Sequence, residues 1–240
     1  VSKKKYDIIF KYDFWKKYTF LSKLNIKNFD QYFNIRPPKE NLKKNSDFFA
    51  TQSVWNLIRN KNILDIIEKL IGSEINSNPV QNSRIKQPEK FLKKKTLYDG
   101  LSGRTPWHQD AGVLSQKGQK YTDLITCWIP FTKTTKKNGC MITVPGLQKK
   151  GLFNHDADPK GQAYIRNSEL LNKLKTVALE ANPGDIVLLS KHTVHCSLPN
   201  TSNNFRISMD LRYHKSGQPS GRDLLPNFCV RSKNKKNIKI

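Results

Sequence analysis

The sequence predicts a mainly β fold, a β-barrel or jelly roll buttressed by N-terminal helices. Three observations predict it. Apolar residues recur at helical spacing as far as Gly72. Beyond that point short apolar runs alternate with Gly, Pro and Asn turn signals. No repeat or low-complexity linker divides the 240 residues, a length that one all-β domain commonly fills, so a single domain spanning 1–240 is expected.

The elements follow in order. "YDFWKKYTFLSKL" mixes aromatics and lysines at helix-like spacing and is expected to pack on the outside of the domain. "SDFFATQSVWNLIRNKNILDIIEKLIG" is the stronger helix. Ile63, Leu64, Ile66, Ile67, Leu70 and Ile71 give it a broad apolar face, and Gly72 is placed to cap its C-terminus. "EINSNPVQNSRIKQP" reads as short strands, and "EKFLKKKTLYDGLSGR" as a basic loop. "DLITCWIPF" and "CMITVPG" are strands around "TKTTKKNG", whose Asn138-Gly139 favours a hairpin. "GLFNHDADPKGQAYI" reads as a loop and "NSELLNKLKT" as a short helix or turn. "VALEANPGDIVLLS" reads as two strands joined at Pro183-Gly184, and "TVHCSLPN" and "FRISMDLRYH" complete the series.

Composition bounds the function. Hydrophobic residues make up 36% of the chain, enough for a core at this size, and no apolar run reaches membrane-spanning length. The lysine-rich start is not followed by the apolar stretch of a signal peptide. Cys127, Cys140, Cys196 and Cys229 form no Cys-x-x-Cys pair, so a zinc knuckle is not expected and burial is. A cytoplasmic, reducing location fits this usage. The net charge of +24 suits a nucleic-acid binder. However, 34 of the 43 basic residues are Lys, and Asn and Ile are plentiful, the mixture an AT-rich genome encodes. "VSKKK" and "RSKNKKNIKI" read as solvated basic tails.

One run carries chemistry. "TPWHQDAG" sets His108 and Asp110 two residues apart, a spacing that puts both on one face of a strand. Chance alone gives about 0.4 such pairs in a chain of this composition, so the pair needs a third partner. "HTVHCSLPNTSNNFRIS" offers two histidines, His192 and His195, of opposite parity, with Arg206 eleven residues after His195. Two histidines and a carboxylate from separate strands make the facial triad of non-haem Fe(II) oxygenases. An arginine inside such a barrel suits a bidentate grip on a carboxylate.

With "PWHQD", "NGCMITVPGLQKKG", "PGDIVLLSKHTVHCSLPNTSNNFR" and "DLRYHKSGQPSGR" in that order, the stretch from about Asp47 to Ser232 resembles the phytanoyl-CoA dioxygenase family of Fe(II)/2-oxoglutarate oxygenases. The resemblance implies a double-stranded β-helix (a cupin-like jelly roll) with N-terminal helices. It implies His108, Asp110 and His195 as iron ligands and Arg206 as the anchor of the 2-oxoglutarate C5-carboxylate. Ser197 matches the hydroxyl that assists the anchor, Gln109 and Trp128 match positions lining the co-substrate pocket, and Lys86 is a further candidate contact. "PGLQKKG" stands where the family usually has Pro-Gly-Ser-His, a departure expected to alter a loop and not the iron chemistry.

The implied activity is that of a dioxygenase, a hydroxylase using Fe(II), 2-oxoglutarate and O2 on a small anionic molecule, with succinate and CO2 released. Because Asp110 is present, no ligand position is open to halide and halogenation is not expected. Two rivals remain from other classes. Arg206 and Arg212 resemble the paired arginines of a nucleic-acid demethylase branch, and a jelly roll can be a non-catalytic binding module. Arg212, on the face of Arg206, is read as meeting either a substrate anion or an acid such as Asp210. His155, His192 and His214 are read as loop, core or surface histidines, and Trp107 as packing.

Overall fold

The computed structural model describes residues 51–92, 103–157, 162–225 and 227–238, together with Phe20. The first expected helix, the "VSKKK" tail and most of the "FLKKK" loop lie outside the described residues.

The second expected helix is two helices, α1 (Gln52–Ile58) and α2 (Lys61–Ile71). The break has a local cause. Asn60 leaves helical geometry, and its side-chain oxygen accepts from the N–H groups of Asn62 and Ile63, capping α2. Gly72 closes α2 at a positive φ of 87°, its N–H bonded to the Glu68 carbonyl. The buried face is narrower than the apolar pattern suggested: Ile63, Leu64 and Ile67 are buried, while Ile66 and Leu70 are exposed. A later short helix, α3 (Gln116–Tyr121), had no counterpart in the sequence reading.

Eleven strands are described. They are β1 (Ile75–Ser77), β2 (Asn82–Lys86), β3 (Ile125–Pro130), β4 (Met141–Thr143), β5 (His155–Ala157), β6 (Ala163–Ile165), β7 (Val177–Leu179), β8 (Val187–Ser190), β9 (His195–Ser197), β10 (Arg206–Lys215) and β11 (Phe228–Arg231). A six-stranded sheet runs β11-β1-β10-β3-β8, with β2 alongside β1 on the same edge of β10. A second sheet runs β7-β4-β9, and β5 pairs with β6. All pairings are antiparallel.

Strand β10 organises the protein. Its alternate residues Met209, Leu211 and Tyr213 join Ile58, Ile63, Leu64 and Ile67 in the main apolar core, beneath the two helices. Tyr213 fixes the contact by donating its hydroxyl to the Ile58 carbonyl at 3.0 Å. The other face of β10 carries Arg206, Ser208, Asp210, Arg212 and His214, all buried. A strand buried on both faces, one of them wholly polar, must find a partner for each polar group or leave it costly.

Three sequence expectations are corrected. Asn138-Gly139 does turn the chain, with Gly139 at φ 86°, but β3 and β4 belong to different sheets and form no hairpin. The turn crosses between sheets, and a side chain on Gly139 would strike the Leu198 carbonyl at 2.7 Å. The two strands expected on either side of Pro183-Gly184 are present as β7 and β8, in different sheets. The expected loop after Gly151 contains the β5–β6 pair. The basic C-terminal stretch begins within β11, where Arg231 pairs with Asp65 and Glu68, each at 2.7 Å. Cys127, Cys140 and Cys196 are buried and Cys229 half-buried, all with free thiols. Among the described residues no helix is long and apolar enough to cross a membrane.

Candidate metal centre

The backbone first brings two of the candidate ligands together. His108 and His195 face each other in a two-hydrogen-bond bridge, N–H to carbonyl at 2.9 and 3.0 Å. Gln109 stays extended and Asp110 opens a 3-10 turn (Asp110–Val113), so the His-x-Asp pair straddles a strand end and is not a regular strand face. Ligand atoms of His108, Asp110 and His195 all lie within 4.8 Å of one another, and all three residues are buried.

Each member is prepared for a cation. His108 Nδ1 lies 2.8 Å from the Pro106 carbonyl and His195 Nδ1 2.9 Å from that of Thr193. Donation of Nδ1–H to a carbonyl fixes the tautomer and leaves each Nε2 lone pair for the cluster. Burial, then the nearby His195, pulls the pKa of His108 down to about 3. Burial opposes the charge on Asp110, but Arg212 and the two histidines outweigh it and hold the carboxyl well below the usual carboxylate range. Arg212 Nη2 donates to Asp110 Oδ1 at 2.7 Å, and Thr126 donates its hydroxyl to Oδ2 in a very short bond. Arg212 also donates to Thr126 Oγ1 and to the Val80 carbonyl, and lies 3.7 Å from Asp210. Arg212 is thus the counter-ion of Asp110, and the alternative of a substrate contact is not what its geometry provides.

Beside the cluster is a partly open cavity. Both sheets line it, β10 with Arg206, Asp210 and Arg212, β3 with Thr126 and Trp128, β4 with Met141, and β9 with His195 and Ser197. Arg206 is 1% exposed, donates to Ser208 Oγ at 2.7 Å and lies 5.5 Å from the Trp128 ring centroid. Its Nε has no partner, and no carboxylate reaches ion-pair distance among the described residues. Burial, then Arg84, lowers its pKa to about 10. A buried guanidinium without a carboxylate partner is costly, and an anion in the cavity would offset that cost.

Ser197 is oriented toward the same place. Its Oγ accepts from the Lys86 ammonium at 2.6 Å and from the Thr105 N–H at 2.8 Å, leaving its own proton to donate. Lys86 also donates to the Leu198 carbonyl, so it supports Ser197 from behind.

The structure therefore brings His108, His195, Arg206, Ser197 and Trp128 around one cavity, with Asp110 beside it in the cluster. Gln109 is not in its lining: the buried amide is consumed by backbone groups of Gly151, Phe153 and His192. His192 contributes only that carbonyl, and Trp107 packs in the second sheet's core with its indole N–H on Asn172. Sequence reasoning missed Thr126 and Arg84 and named Asp210 only as an acid that Arg212 could meet. The period-two polarity of "RISMDLRYH" was the available signal for Asp210.

The buried histidines give a pH dependence. His214, fully buried against Asn78, has its pKa pulled to about 4 by burial, and His108 lies near 3. Both are neutral when folded at pH 5, whereas unfolded histidines bind protons below about pH 6.5. The unfolded state then holds more protons, and stability falls as pH drops from 6.5. Metal-free protein is expected to lose about 1–2 kcal/mol per buried histidine between pH 6.5 and 5. Urea midpoints measured with chelator check this; identical midpoints at both pH values contradict it.

Comparison with known proteins agrees with the geometry. Residues 22–208 match the family model described as phytanoyl-CoA dioxygenase (PhyH). The chain is 36% identical over 121 residues to a phytanoyl-CoA dioxygenase domain-containing protein 1 homolog of Dictyostelium discoideum, covering 47% of this chain and 41% of that protein. It is 31% identical over 118 residues to a 2-aminoethylphosphonate dioxygenase of an uncultured bacterium, HF130_AEPn_1, covering 49% and 42%. The chain thus spans about half the length of the curated relatives it matches. Among solved structures, it resembles the epimerase SnoN in complex with Fe3+, alpha ketoglutarate and nogalamycin RO. The TM-score is 0.53 at 21% identity, covering 71% of this chain and 63% of that one.

Proposed function

The chain belongs to the phytanoyl-CoA dioxygenase family, and from that premise we propose a double-stranded β-helix enzyme, an Fe(II)/2-oxoglutarate-dependent dioxygenase hydroxylating a small anionic molecule. Succinate and CO2 are the co-products. The observation that carries this reading is the buried Arg206, without a carboxylate partner, in the cavity that His108 and His195 of the cluster line.

The residues fit the groups they would hold. His108 and His195 offer Nε2 and Asp110 a carboxylate oxygen, the facial set that suits Fe(II) and leaves positions open. Arg206, assisted by the Ser197 hydroxyl, would hold the C5-carboxylate of 2-oxoglutarate, and Trp128 would wall the pocket. When bound, iron and 2-oxoglutarate together supply, with O2, the oxidising power that no side chain possesses.

The protein's share is binding and electrostatics. Arg212 keeps Asp110 ionised, so the ligand charge is present at any physiological pH. Low proton affinity keeps His108 free for metal. The buried walls exclude water from the co-substrate carboxylate, which strengthens its pairing with Arg206. Among the described residues three guanidiniums, Arg84, Arg206 and Arg212, line the cavity against the carboxylate of Asp210, with that of Asp110 beside it in the cluster. That positive excess persists once a dication and a dianionic co-substrate are added, and it favours a substrate bearing a carboxylate, phosphate or phosphonate. A phosphonate-oxidising relative is in keeping with this choice.

The test is 2-oxoglutarate turnover with Fe(II) over pools of small carboxylates, phosphates and phosphonates. Succinate release coupled to a gain of one oxygen by the substrate is the expected result. Absence of both 2-oxoglutarate binding and turnover would favour a non-catalytic module. Single- and double-stranded oligonucleotides are expected to bind weakly near physiological salt and to leave succinate release unchanged. Tight binding with stimulated release would move the substrate to nucleic acid.

A further inference from the structure

We propose that His155 is a positioning residue for the metal motif, acting through the peptide that joins His108 to Asp110. The inference rests on the metal-binding reading above and goes beyond it. It starts from Gln109, whose residue is fully buried between the two candidate ligands and whose backbone N–H must therefore find an acceptor. The acceptor is His155 Nε2, at 3.1 Å. His155 Nδ1 lies 2.8 Å from the Phe153 carbonyl, so the ring donates there and keeps its Nε2 lone pair for Gln109. Burial lowers the proton affinity of His155, which favours the neutral ring this arrangement needs.

The contact is reciprocal. The Gln109 side chain donates to the Gly151 and His192 carbonyls at 2.8 and 2.7 Å and accepts from the Phe153 N–H at 2.8 Å. Residues 151–155 and the metal motif are thus locked by bonds running both ways. The His192 carbonyl ties in the turn that leads to His195. Space confirms the fit: a Cβ on Gly112 would lie 2.4–2.7 Å from three atoms of the His155 ring. Gly112 does not have a positive φ, so it is small here to admit the imidazole and not to relieve the backbone.

The geometric consequence is specific. His108 is fixed by its two bonds to His195, and Ala111 by a bond to the Lys191 carbonyl. The Gln109 peptide between them sets where Asp110 points as it enters its turn. Without an acceptor on Gln109 N–H that peptide can rotate, and the carboxylate departs from the place where the imidazoles meet it. Loss of such a supporting partner weakens metal binding about 10–100-fold in comparable sites.

The test uses Co(II), followed by its visible absorption and by titration, on the whole chain. His155→Phe keeps a ring against Gly112 but has no acceptor, whereas His155→Gln restores an acceptor at a similar reach. Co(II) affinity is expected to fall at least tenfold in His155→Phe, with an altered visible band, and to return to within about threefold of wild type in His155→Gln. Gly112→Ala, which pushes the ring away from the other side, is expected to match His155→Phe. The metal-free thermal midpoints should move far less than the affinities. Wild-type Co(II) affinity in His155→Phe, or equal losses in the Phe and Gln variants, would overturn the proposal. Failure of the underlying reading looks different: Asp110→Ala would then bind Co(II) as tightly as wild type.

Discussion

Replacing Arg206 with alanine is expected to weaken 2-oxoglutarate by two orders of magnitude or more while leaving divalent-metal affinity within about threefold of wild type. A hundredfold loss corresponds to about 3 kcal/mol, the scale of one charge-assisted bidentate pair away from water. The separation follows from geometry. Arg206 bonds to Ser208 and stacks near Trp128, whereas the cluster of His108, Asp110 and His195 is braced by other groups: Pro106, Thr193, Thr126 and Arg212. Isothermal titration of Mn(II) into metal-free protein, and then of 2-oxoglutarate into the Mn(II)-loaded protein, measures both affinities. Unchanged 2-oxoglutarate binding would remove Arg206 from the anchor role. Arg212 could not take it over without abandoning Asp110.

Arg212→Leu is expected to be the most destabilising change in the cavity wall. Arg212 is buried and joins Asp110 at 2.7 Å and Asp210 at 3.7 Å. Removing one partner of a buried ion pair leaves the other charge uncompensated, at a cost of about 3–5 kcal/mol. Asp210 keeps Arg84 at 2.7 Å, so the loss falls mainly on Asp110. A divalent cation at the cluster replaces some of the missing positive charge. The rise in melting temperature on adding Mn(II) is therefore expected to be larger in the variant than in wild type. Denaturant unfolding with and without metal checks both parts. A metal-free variant as stable as wild type would show that Asp110 does not depend on this pair.

The chemistry of the site was legible in the chain because its residue types are scarce and specific. Five histidines and nine arginines leave few ways to assemble two imidazoles, a carboxylate and an anchoring guanidinium. The spacing His108-x-Asp110 is short enough to be set locally, whereas His195 and Arg206, eleven residues apart, come from strands of different sheets. The mainly β character and the helices before it were legible for a similar reason, since the period of apolar residues is a local property. Which histidine of His192 and His195 joins the cluster was open on parity alone, and the resemblance implied His195.

Only the tertiary structure decided what those residues touch. Gln109, expected in the pocket wall, supports the ligands from behind. Arg212, open between substrate and acid, is the counter-ion of Asp110, 102 residues away in sequence. Asn138-Gly139, a hairpin signal by local preference, instead carries the chain from one sheet to the other. The physical reason is common to all three. Turn chemistry, periodicity and residue type act over a few neighbours. The partner of a buried donor or charge is chosen by whichever distant segment must also satisfy its own polar groups in the same space.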